Sequence, residues 1–158
     1  MILDTFNEFA SAESVAAAAG TALIGDVIDL GATSLDIGTG EPLYVVIRPT
    51  TEIITGGAAG TIQFKLASDA QAAIATDGSA TVHVASDAYV TDGTDANDAQ
   101  LKVNAANPIL AVRLPSGTYE RYLGILCTIG TTTVTAGAVD AFLTHDISAW
   151  KAYPDATN

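Results

Sequence analysis

Only six of the 158 residues are Lys or Arg, and no two of them form a cluster. Binding to nucleic acid by counterion release depends on clustered basic side chains, so that function class is excluded. Eighteen Asp and Glu set the net charge at −12. Such a surface is repelled by anionic membranes as well. It suits a solvated outer face, or a partner that presents a basic patch. The one cysteine, Cys127, cannot form an intrachain disulfide, nor can it alone make a cysteine zinc site. The two histidines, His83 and His145, cannot supply the close pair of a cupin-type metal centre. No apolar run reaches the length of a membrane span. Residues 15–24 are apolar, but Asp4, Glu8 and Glu13 precede them where a secretory signal carries Lys or Arg. The expectation is a soluble protein made in a cytoplasm, with neither nucleic acid nor membrane as partner.

What the chain has in quantity is Ala (29), Thr (20) and Gly (14), with charged residues at 15% against about 25% in an average globular protein. Its length is that of one domain. Short segments alternate apolar and polar residues between Gly, Asp, Pro and Thr. Leu43, Val45 and Ile47 share one face of a segment ending at Pro49. Ile62, Phe64 and Leu66 alternate with Thr61, Gln63 and Lys65. Val82 and Val84 flank an outward His83, and Leu110, Val112 and Leu114 oppose Arg113. Val139, Ala141 and Leu143 oppose Asp140, Phe142 and Thr144. A period of two with one wet face marks antiparallel strands in a sandwich or barrel. Leu23–Leu30 adds another strand. Tyr122–Ile129, apolar almost throughout, predicts a central strand buried on both faces. The total is seven or eight.

Helix is scarce. Ser11–Ala19 reads as a short capped helix, and Ser68–Ile74 as one or two turns capped by Ser68 or Asp69. Residues 86–107 form the longest connection, rich in Asp. The predicted division is an N-terminal arm and short helix over 1–20, a β-sandwich over 21–147 and a tail over 148–158. Ile2, Leu3, Phe6 and Phe9 at one end, and Trp150 and Tyr153 at the other, are apolar residues that dock either on their own domain or on a neighbour.

Constellations for chemistry are few. There is no Gly-x-Ser-x-Gly elbow and no phosphate-binding glycine loop. Cys127, inside an apolar strand, reads as a small core residue. Both histidines read as surface residues. Asp92, Asp95 and Asp98 offer oxygen ligands to calcium, but without the spacing or the closing Glu of an EF-hand. A solvated turn-rich loop is the simpler reading, so no cofactor is predicted.

Several stretches resemble one family. They are Val27-Ile-Asp-Leu-Gly31, Asp36-Ile-Gly-Thr-Gly-Glu-Pro-Leu43 leading into Tyr44–Ile47, Ile62-Gln-Phe-Lys-Leu-Ala-Ser-Asp69, Leu114-Pro-Ser-Gly-Thr118, Arg121-Tyr-Leu123 and Thr135-Ala-Gly-Ala-Val139. Together they are similar to the jelly-roll cement, or decoration, proteins on the capsids of short-tailed phages. The resemblance covers about residues 22–145 and rests on packing and turn motifs. It implies an all-β jelly-roll sandwich of about eight strands that is not an enzyme. It implies a virion protein on the outer capsid surface that bridges major capsid subunits and acts as a small homo-oligomer, a dimer before a trimer. Terminal segments of such proteins contribute to their grip on the shell. The competing reading from the residues alone is a calcium-dependent, lectin-like carbohydrate-binding sandwich using the Asp-rich stretch.

Overall fold

The computed structural model describes residues 5–31, 35–93, 98–103, 105 and 108–147. Among the described residues nine strands form two antiparallel sheets: β1 (Glu8–Ser14), β2 (Gly20–Asp29), β3 (Tyr44–Thr55), β4 (Gly60–Asp69), β5 (Thr81–Ala85), β6 (Tyr89–Thr91), β7 (Leu110–Arg113), β8 (Tyr122–Gly130) and β9 (Val134–Thr144). The front sheet has the order β1-β9-β3-β7, the back sheet β2-β8-β4-β5. β6 lies in line with β5 along the same edge of β4. From β1 to β4 every connection crosses between sheets, and it does so again from β6 through β9. This is a jelly roll, which the strand pattern alone could not separate from other Greek-key sandwiches.

The alternation in the sequence explains the layers. Ile62, Phe64 and Leu66 of β4 point inward and are fully buried, while Thr61, Gln63 and Lys65 are only half-buried. They meet Val45 and Ile47 of β3, Val139, Ala141 and Leu143 of β9, and Leu123, Ile125 and Cys127 of β8 in one core. Burial pushes the Cys127 thiol up to about 12, so it is an inert core group. β8 is apolar on both faces because both are covered. On the outer side, Ile74 from the β4–β5 connection packs with Ala67 and Leu126.

Four expectations need correction. Ser11–Ala19 is not a short helix: Glu8–Ser14 is a strand, β1, that pairs with β9, and Val15 continues by donating to Gly137 O at 3.0 Å. Two register shifts and the positive φ of Ala12 bend β1, and Asp140 accepts the Ala12 N–H at 2.8 Å. The same carboxylate takes two hydrogen bonds from Arg48 of β3, so one side chain ties three strands. Ser68–Ile74 is not helical either: β4 runs to Asp69, whose carboxylate then accepts the N–H groups of Gln71 and Ala75. The stretch 86–107 is not one long loop, because it holds β6 and a 3-10 turn, Ala99–Leu101, with Leu101 fully buried. His83 is the fourth, and its surroundings are described next.

Candidate functional site

The β2–β3, β4–β5 and β7–β8 connections share one end of the sandwich, and polar side chains converge there. Asp36 accepts from the N–H groups of Gly38 and Gly117 and from the Thr39 hydroxyl, which together hold its carboxyl below the usual range. Leu35 and Tyr119 exchange both backbone hydrogen bonds. The Tyr119 ring is fully buried, and its hydroxyl donates to Pro115 O at 2.7 Å. Burial pushes that phenol up to about 12. At the rim, Arg121 grips both oxygens of Asp29 and lies over the Tyr122 ring. Hydrogen bonding from Arg121 holds the Asp29 carboxyl down at about 2.

His83 stacks on Tyr119 with ring centres 3.9 Å apart, and its Nε2 lies 2.8 Å from Ser68 Oγ. The expectation of a surface histidine fails because β5 carries a bulge. Leu66 pairs with Val84 and Ala67 with Val82, so His83 is the extra residue. A bulge re-aims side chains, and here Val82 becomes 48% exposed while His83 turns toward the core. A serine hydroxyl beside a histidine is the beginning of a nucleophilic pair. Yet Ser68 is fully buried and also accepts the Glu120 N–H, so its oxygen serves packing and has no substrate access. His145 stays exposed and bonds Pro42 O.

The acidic candidates separate. Asp98 bonds the Val90 N–H through its carboxylate at 2.7 Å, which anchors the chain after β6. Asp92 is half-buried beside β6, and Asp95 lies outside the described residues. Among the described residues, no three His, Cys, Asp or Glu side chains gather as for a metal ion. A shallow dent of about 70 Å³ is lined by Glu8, Phe9, Ala10, Ser11 and Asp26, with room for a few waters.

The apolar end residues also separate. Phe9 is 1% exposed and belongs to the core, which removes it from any partner surface, whereas Phe6 is 86% exposed. Ile2, Leu3, Trp150 and Tyr153 lie outside the described residues. Sequence reasoning missed a different surface. The edge strands β1, β2 and β7 carry Glu8 and Glu13, Asp26 and Asp29, and Arg113 respectively. The β5–β6 edge carries no charged residue within its strands and exposes Val82 and Val90.

Fold and surface define a jelly-roll sandwich in which the described residues build a cross-linked end and one edge strand, β5, without a charged residue, with no accessible nucleophile–base pair. The Bbp16 family model matches residues 9–143, from the first strand to the last, and the chain belongs to that phage-related family. No curated protein matches it.

Proposed function

We propose that this chain is a structural protein of a phage virion that binds the outside of the assembled capsid and cements neighbouring major capsid subunits. The observation that carries the reading is the Bbp16 family match over the whole sandwich. A sandwich of small residues with few charges makes a compact unit, and many copies on one shell supply avidity from weak contacts. A net charge of −12 opposes adhesion between finished particles. The protein is made in the host cytoplasm and acts on the virion surface, without nucleic acid, membrane, metal or cofactor.

Self-association of so acidic a chain favours a face without charge. Asp98 caps the outward backbone of Val90 on β6, so the outer side of β5 is the part of this edge that suits antiparallel pairing with a second copy. On the capsid side the exposed Phe6 is the described residue best placed to be a foothold.

The test is co-sedimentation of purified protein with expanded shells that lack it. Saturation at a fixed ratio to the major capsid protein is expected. Phe6→Ser should weaken binding without changing the melting temperature. Absence of saturable binding by the folded wild-type protein would reject the cement reading.

A further inference from the structure

We infer that His83 is an acid-sensitive pin: in its neutral form it holds β5 against the β7–β8 connection, and on protonation it releases that connection together with the β2–β3 connection. The inference does not depend on what the protein binds.

The hydrogen accounting points this way. Ser68 Oγ already accepts the Glu120 N–H at 3.0 Å. With His83 neutral and its proton on Nδ1, the Ser68 hydroxyl donates to Nε2, and Ser68 Oγ is satisfied both as donor and as acceptor. Protonation turns Nε2 into a donor. The Ser68 proton then loses its acceptor inside a fully buried site. The charge also arrives in a half-buried pocket against an uncharged, fully buried phenol.

The charged groups around the ring are few. On the β7–β8 connection Glu120 favours the cation, but burial outweighs it and keeps the imidazole below its ordinary value. On the β2–β3 connection Asp36 acts on Tyr119 and is committed to Gly38, Thr39 and Gly117. At the end of β4, Asp69 is committed to Gln71 and Ala75. β5 itself has no charged residue.

Release would travel through Tyr119, because the ring that His83 stacks on belongs to the residue that pairs with Leu35 in both directions. Asp36, next to Leu35, holds Gly117 of the same turn. The two connections therefore loosen as a unit.

The experiment is an NMR titration of His83 in the full chain, with amide hydrogen exchange at Leu35 and Tyr119 from pH 7.5 to 5, corrected for intrinsic rates. His83 should titrate below about 6.5, the ordinary value. Opening at Leu35 and Tyr119 should rise by up to about tenfold per pH unit through that window, while Phe64 and Ile125 stay protected. His83→Gln should make exchange at the two amides independent of pH. Carboxylates such as Asp36, held below their usual range, titrate outside the window. A wild-type His83 that titrates at or above 6.5, or pH-independent opening at Leu35 and Tyr119, would overturn the inference even where the variant fails to fold.

Discussion

At the end of the sandwich where β2 gives way to β3, side chains reach from one connection to the next: Asp36 to Gly117, Arg113 to Gly40 O, Arg121 to Asp29, His83 to Tyr119. At the opposite end, where β3 gives way to β4, the contacts come from short hydroxyls and bare backbone. The Thr55 hydroxyl donates to Ala58 O at 2.6 Å, and the hydroxyls of Thr132 and Thr135 to Ala59 O and Ile54 O. Thr91 Oγ1 is buried there without a hydrogen-bond partner. One end is held by long reaches between distant segments, the other by small residues packed close. Long reaches concentrate stability in a few side chains. Close packing of small residues spreads it over many backbone groups, so single changes cost less.

Substitutions can break that contrast. Tyr119→Ala removes the hub of the cross-linked end and should cost about 3–5 kcal/mol in chemical denaturation. Gly38→Ala comes next. A Cβ there would stand 1.9 Å from Pro115 O, so the two connections must part, at about 1–3 kcal/mol. At the opposite end Thr55→Val loses a hydroxyl shared between Ala58 O and Thr91 O and should cost about 1 kcal/mol. A four-residue Gly-Ser insertion after Gly57 should cost about 1 kcal/mol, since it lengthens an exposed turn and parts Thr55 from Ala58 O. The same insertion after Ser116 should cost several times more, because it separates Asp36 from Gly117. Equal effects at the two ends would show that the contrast is not energetic.

Titration sharpens it. The folded-state value of His83 is lowered, so its contribution is complete above the unfolded value near 6.5 and is lost as pH falls from there toward the folded value. Asp29 acts in a separate window. Its contribution is present above about 3.9 and is lost as pH falls through about 2. Asp29 and its partner Arg121 are both exposed, so Asp29→Asn should give the smallest change of the set in a melting curve at pH 7.

How legible this was in the sequence depended on whether a segment's own pattern decided its structure. β4, β7, β8 and β9 alternate or run apolar as buried strands must, and they were read correctly from that. β1 was not, because Glu, Ala and Ser have no strand preference. Its conformation comes from the edge of β9, more than a hundred residues later. For the same reason Phe6 and Phe9 looked alike in sequence, though one is in solvent and the other in the core. His83 misled because a strict alternation cannot show a bulge, and one extra residue reverses the face of its neighbours. Tyr119 carried no signal at all, since its partners Leu35 and His83 come together with it only in the assembled fold.

The place of β9 between β1 and β3 has a consequence for how the chain is made. The last of the described strands lies inside the front sheet, so β1 leaves the ribosome well before β9 and waits for its partner. Until residues 134–144 emerge, β1 and β3 have no neighbour in common, and Phe9 waits without its place in the core. A nascent chain stalled before residue 134 therefore holds a half-formed front sheet, open to any strand that passes. Rapid completion of synthesis, more than any local preference, guards this sheet against the wrong partner.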